Sequence, residues 1–110
     1  MLFRSQLPFP AEVFTASNGR QALDNVERFH PDLVLLDVMM PEVDGFTVCQ
    51  KLRENVRTTF IPVLMLTANP DEESRTKAFL VGTDDYMNKP FSVPDLLARV
   101  NRLLRRTYGL

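Results

Sequence analysis

Three residues of this sequence could together handle a phosphoryl group: Asp37, Thr67 and Lys89. A carboxylate can accept phosphoryl as an acyl phosphate, and the new oxygens then call for one neutral donor and one positive charge. Asp37 closes the apolar run Leu33-Val34-Leu35-Leu36, Thr67 follows Val63-Leu64-Met65-Leu66, and Lys89 follows Asp84-Asp85-Tyr86-Met87-Asn88. A carboxylate and an ammonium alone would be an ordinary ion pair. The hydroxyl gives the set a more particular chemistry.

The elements that must position these side chains follow from the spacing of apolar residues. Ala11 to Ala16 is β-branched and aromatic, which predicts a strand ending at the turn signal Ser17-Asn18-Gly19. Ala22, Leu23, Val26 and Phe29 recur at helical spacing over Gly19 to His30, and Pro31 ends that helix. The run closed by Asp37 reads as a strand covered on both faces of a parallel sheet. A second helix is predicted through Phe46, Cys49, Leu52 and Val56, and Pro62 then opens another strand. Asn69-Pro70-Asp71-Glu72 signals a helix start, with that helix running to about Val81 and Gly82 as its stop. A brief strand over Asp84 to Asn88 precedes the Ser92 cap of a last helix carrying Leu96, Leu97, Val100, Leu103 and Leu104 inward. Alternating strands and helices specify an α/β fold with a parallel sheet of about four strands. In such sheets ligands bind beyond the carboxyl ends of the strands, the rim to which Asp37, Thr67 and Lys89 belong.

Composition narrows the function classes. The chain has 110 residues, 45% hydrophobic and 25% charged, enough for one domain over 1–110 with a core of its own. A formal net charge of -1 supplies no overall field for nucleic acid or an anionic membrane. Cys49 is the single cysteine, so an intrachain disulfide and a cysteine-built zinc site are excluded. Apolar runs fall far short of a membrane span, and the reading is a soluble, cytoplasmic protein.

The string Leu35-Leu36-Asp37-Val38-Met39-Met40-Pro41, with Asp44-Gly45, Thr67-Ala68, Asp84-Asp85-Tyr86 and Lys89-Pro90-Phe91, closely resembles the receiver domain of two-component response regulators, over about residues 11 to 106. The resemblance implies a flavodoxin-like fold and a signalling role rather than an enzyme's. Asp37 would be the phosphoacceptor, served by a sensor histidine kinase or phosphotransfer protein. Thr67 and Lys89 would bind phosphoryl oxygens, and Tyr86 would be the switch aromatic. Asp37 and the backbone carbonyl of Met39 would contribute to a Mg²⁺ site, and Lys89-Pro90 would be a cis peptide, which X-Pro bonds adopt at low cost.

One part of the family pattern is not met. The family opens with a strand ending in an acidic pair and followed by a helix, whereas residues 1–10 contain no Asp or Glu. They read as a remnant of that first helix or as a substitute strand. Mg²⁺ demands near-octahedral oxygen coordination, so Asp37 without the acidic pair is a poor site and slow phosphorylation is expected. A sheet lacking its middle strand invites pairing with another chain, hence the expectation of a homodimer, strand-exchanged in one form. The alternative is an interaction module of the same ancestry that assembles without phosphorylation. A hydrolase using Asp37 would need a positioned general acid or base, and the sequence offers none.

The remaining features have plainer readings. Asp84 and Asp85 mark a loop-to-strand transition, His30 complements a helix dipole, Cys49 lies on a core stripe, and the arginines of the last helix form a solvated face without direct nucleic-acid contact. Phe79, Leu80 and Val81 are consecutive, and a helix cannot bury all three on one face. Apolar surface for a protein contact is therefore expected there, on the surface through which the family dimerises.

Overall fold

The computed structural model describes residues 18–39, 43–68 and 71–109. The expected strand at 11–16 and the segment at 1–10 lie outside them. Helix α1 spans Gly19–Phe29, and the Asn18 side chain accepts the Gln21 N–H at 2.8 Å. A Cβ on Gly19 would lie 1.8 Å from the Val43 carbonyl oxygen, so only glycine lets α1 start against that loop. The helix ends at His30 in the left-handed conformation (φ 47°), whose N–H donates to the Val26 carbonyl.

Strand β1 (Val34–Asp37) leads to α2 (Gly45–Glu54), capped by the Asp44 carboxylate accepting the Thr47 N–H at 2.8 Å. Helix α2 is shorter than its apolar spacing predicts. Asn55 caps it in extended conformation, and Val56 is 87% exposed rather than on the inward stripe. The Asn55 carbonyl accepts the N–H groups of Thr58 and Thr59, so the chain turns before Val56 can continue the helix.

Strand β2 (Val63–Thr67) is buried along its whole length, as a central strand covered on both faces must be. Helix α3 (Glu72–Leu80) is capped by Asp71, whose carboxylate accepts the Ser74 N–H at 2.6 Å. The cap is thus Asp71, further along than Asn69, because a charged acceptor with Glu72 and Glu73 behind it best complements the helix dipole. Val81 is the C-cap and Gly82 follows at φ 104°. Strand β3 (Asp85–Asn88) and α4 (Val93–Tyr108) complete the described chain, with Ser92 Oγ accepting the Asp95 N–H at 3.2 Å.

Among the described residues the sheet is three-stranded and parallel, in the order β1-β2-β3. Four helices flank it. One face, with Val34, Leu36, Val63 and Met65, packs on α1 and α2 through Ala22, Val26, Val48, Cys49 and Leu52. The other, with Leu64, Leu66 and Met87, packs on α4 through Leu96, Val100, Leu103 and Leu104. The parallel register sets Asp37 beside Leu66 and Thr67 beside Asn88, which brings the carboxyl ends of all three strands to one rim.

Candidate functional site

Each strand delivers one side chain to that rim. Asp37 ends β1, Thr67 ends β2, and Lys89 follows β3 directly. Lys89 Nζ donates to Asp37 Oδ2, an ion pair spanning the sheet from one outer described strand to the other. Its side chains are 38% and 35% exposed, which leaves the carboxylate reachable by an incoming group. The other carboxylate oxygen, Oδ1, accepts the Met39 N–H at 3.0 Å. Thr67, between them, is buried.

Backbone contacts fix the rim. The Val38 N–H donates to the Leu66 carbonyl at 2.9 Å, and the Lys89 N–H to the Thr67 carbonyl at 2.7 Å. The Gly45 N–H donates to the Val38 carbonyl at 3.1 Å, and a Cβ on Gly45 would lie 2.5 Å from the Asp37 carbonyl oxygen. Glycine at this position lets α2 begin directly against Asp37. The Lys89-Pro90 peptide is cis.

Tyr86 lies in β3 beside Met65, and its ring packs against the α1 and α2 side of the core. Its hydroxyl is buried with no hydrogen-bond partner among the described residues. A phenol placed this way forfeits solvation without recovering it, at a cost of about 1–3 kcal/mol.

The donors at the rim do not make a Mg²⁺ site among the described residues. Asp37 supplies one carboxylate, already facing an ammonium on one oxygen and a backbone N–H on the other. No group of three or more His, Cys, Asp or Glu that could hold a metal occurs among the described residues. Asp37 with the Met39 carbonyl falls short of the oxygen set that Mg²⁺ requires.

At the opposite end of the sheet lies a cluster that spacing did not reveal. Arg53 donates through Nε to the Gly82 carbonyl (2.9 Å), through Nη1 to the Thr59 and Ile61 carbonyls (2.9 and 2.6 Å), and through Nη2 to Asp84 Oδ2 (2.7 Å). Asp84 Oδ2 also accepts the Val63 N–H at 2.8 Å, which fixes where the chain joins the sheet before β3. Arg99 and Arg102 each donate to Asp85 at 2.9 Å, and Arg106 reaches Asp84 at 3.4 Å. Arginines expected on a solvated face therefore hold the two acids in place. Residues 99, 102 and 106 recur at helical spacing on one stripe, the signal that could have paired them with Asp84 and Asp85.

The apolar triplet divides. Phe79 and Leu80 of α3 are 46% and 81% exposed, whereas Val81, at the helix cap, packs partly buried against the core. Cys49 is buried, and burial pushes its thiol up to about 11.

Comparison with known proteins agrees with this geometry. The response regulator receiver domain model matches residues 3–101. The DNA-binding dual master transcriptional regulator RpaA of Synechocystis is 51% identical over 94 residues, covering 80% of this chain and 39% of RpaA. The chain thus spans about two fifths of the length of that curated relative. Among solved structures, the receiver domain of the Francisella response regulator 1452 matches with a TM-score of 0.77 and 35% identity, covering 86% of this chain and 76% of the other. The receiver domain of the Pseudomonas aeruginosa sensor histidine kinase PA1611, solved with magnesium coordinated in its active-site cleft, matches with a TM-score of 0.72 and 30% identity, covering 90% and 78%. A three-stranded parallel core with an aspartate, a threonine and a lysine at its carboxyl rim, matched by the family model over nearly the whole chain, places this protein in the response regulator receiver domain family.

Proposed function

We propose that this chain accepts a phosphoryl group on Asp37 from the phosphohistidine of a sensor histidine kinase or phosphotransfer protein. The observation that carries the reading is the ion pair between Lys89 Nζ and Asp37 Oδ2 at the end of the sheet, with Thr67 between the two strands. A carboxylate oxygen of Asp37 attacks phosphorus, the new O–P bond forms as the P–N bond breaks, and the imidazole leaves with a proton from solvent. The Lys89 ammonium then pairs with a phosphoryl oxygen, and the Thr67 hydroxyl donates to another. Tyr86, with its unpaired buried hydroxyl, follows the movement of Thr67.

With one carboxylate at the described rim, transfer to this chain on its own is slow and weakly dependent on Mg²⁺. Lys89 is then the principal compensation for the charge of the transferring group. Exposed Phe79 and Leu80, in α3, give the chain a surface for a second copy of itself, a homodimer in solution. By likeness to RpaA, whose name describes a DNA-binding transcriptional regulator, the output is transcriptional control exerted from the cytoplasm. The segment itself makes no direct nucleic-acid contact, since Arg99, Arg102 and Arg106 are engaged by Asp84 and Asp85.

The exposed Phe79 and Leu80 also favour a second reading, an interaction module that assembles without phosphorylation. Phosphoramidate as donor separates the two. Gain of one phosphoryl group by the native chain, absent in Asp37→Asn, supports the first. Self-association that is unchanged by the donor, with no mass gain, supports the second.

A further inference from the structure

Helix α2 begins against Asp37 and ends at Glu54, a full helix length from the carboxyl rim. At that far end a groove opens between α1 and α2. Leu23, Leu52 and Val56 give it apolar walls, and its volume of about 610 Å³ has room for a few bulky side chains of a ligand. Val56 is the most open of the three, at 87% exposed. Hydrogen bonds around it hold it in that position. The buried Thr58 hydroxyl donates to the Leu52 carbonyl at 2.8 Å, the Arg57 N–H donates to Asn55 Oδ1 at 2.9 Å, and Arg53 Nη1 holds the Thr59 and Ile61 carbonyls. An apolar side chain presented on a turn already ordered in this way adds little ordering cost to binding. The rim of the groove is acidic. Asp24 and Glu27 of α1 and Glu54 of α2 line it together with one cation, Lys51, and all four are exposed. None of the three acids takes part in an ion pair among the described residues. Glu27 accepts a hydrogen bond from Asn55 Nδ2 at 3.4 Å, which links α1 to the end of α2. Arg57, next to Val56, is exposed outside the lining.

We propose that this groove docks a cationic amphipathic helix of a partner protein, whose apolar side chains fill the space over Leu23, Leu52 and Val56 while its lysines or arginines meet Asp24, Glu27 and Glu54. Charge complementarity selects this occupant. Three carboxylates against one ammonium surround apolar walls, an arrangement that repels acidic segments and favours basic ones. A helix with apolar residues at i, i+4 and i+7 presents the matching stripe. A second copy of this chain fits less well, because its exposed apolar pair, Phe79 and Leu80, sits on a helix that opens with Glu72 and Glu73. Since the groove lies at the end of α2 opposite Asp37, an occupant there leaves the carboxyl rim open. The inference does not require that Asp37 be phosphorylated.

A designed, fluorescein-labelled helical peptide tests it, with leucines at i, i+4 and i+7 and lysines flanking them. It is titrated into the full chain, with anisotropy reporting binding and amide NMR shifts reporting the site. The lysine peptide should bind with a Kd of about 100 μM or tighter, its shifts should concentrate on the groove residues of α1 and on 51–58, and a version with glutamates in place of the lysines should bind at least about tenfold more weakly. Combined Glu27→Lys and Glu54→Lys should weaken the lysine peptide about tenfold, and Val56→Ser about fivefold. These three side chains are exposed, so the fold should survive the changes. Combined Glu72→Lys and Glu73→Lys, the same change of charge placed on α3, should cost less than about twofold. No binding up to about 1 mM, equal weakening by the α3 pair, equal binding of the glutamate peptide, or shifts centred on another face would each overturn the proposal. So would sedimentation showing that Glu27→Lys with Glu54→Lys abolishes self-association while peptide binding is untouched, since the occupant would then be a second copy.

Discussion

Lys89 Nζ reaches Asp37 Oδ2 across the carboxyl end of the sheet, over Thr67 of the central described strand. The two residues come from strands that never touch each other, so their meeting depends on the registers of both β1 with β2 and β2 with β3. Both side chains keep about a third of their surface exposed, and solvent weakens the pair as a source of stability. Its value lies in holding a cation where phosphoryl charge would develop.

Replacing that cation should therefore separate function from stability. Lys89→Met is expected to slow phosphoryl acceptance about 100-fold, the effect of losing one preorganised charge partner. Unfolding stability should change by less than about 1 kcal/mol. Phosphoramidate labelling rates and urea denaturation of the same preparation measure the two effects, and a large stability loss with unaltered labelling would contradict this assignment.

Tyr86→Phe removes a buried hydroxyl that has no partner among the described residues. The variant should be as stable as the native chain or up to about 1 kcal/mol more so, since no hydrogen bond is lost and a desolvated polar group is removed. Urea midpoints at constant m-value report this directly. A clear destabilisation would mean that the hydroxyl is hydrogen-bonded in solution.

Arg53→Met should be among the most damaging single changes outside the core. The guanidinium satisfies three carbonyls and neutralises Asp84, which itself holds the Val63 N–H. Losing it leaves three carbonyls short of a donor and Asp84 with only the more distant Arg106 as cation, at a cost of about 3 kcal/mol. Thermal unfolding compared with Arg57→Met, an exposed control, gives the measure.

Much of this architecture was legible in the sequence, for physical reasons that differ between elements. The continuous apolar runs of β1 and β2 announced strands covered on both faces, and the caps at Asn18 and Ser92 announced helices whose side chains do accept the expected N–H groups. The ends of elements were less legible. Periodicity carried α2 on to Val56, because no spacing rule shows Asn55 turning the chain. Likewise, Asn69 resembled a cap, but Asp71 is the residue that meets Ser74. At the site, the meeting of Asp37 with Lys89 follows from the strand order of a parallel sheet. Arg53 was not legible, since its partners at Thr59, Ile61, Gly82 and Asp84 are mostly backbone carbonyls, which leave no trace in residue type.

Alkaline pH should weaken the fold. Burial raises the Cys49 thiol from 9.0 to about 11, and burial with the Asp32 charge raises the Tyr108 phenol from 10.0 to about 12. In each case the native state holds its proton longer than the unfolded chain does. Stability is therefore constant below about pH 9 and falls as pH rises through 9–11 for Cys49 and 10–12 for Tyr108. Urea midpoints at a series of alkaline pH values should decline over this window. Cys49→Ala should delay the onset, and a decline that begins near neutrality would contradict this origin.

The central claim is that Asp37 accepts a phosphoryl group. The most direct measurement is tandem mass spectrometry of the chain after incubation with phosphoramidate, with and without Mg²⁺. One phosphoryl group on the peptide containing Asp37, labile to hydroxylamine as an acyl phosphate must be, formed slowly in either condition and absent in Asp37→Asn, is the predicted result. No labelling in either condition, or labelling that persists in Asp37→Asn, would contradict it.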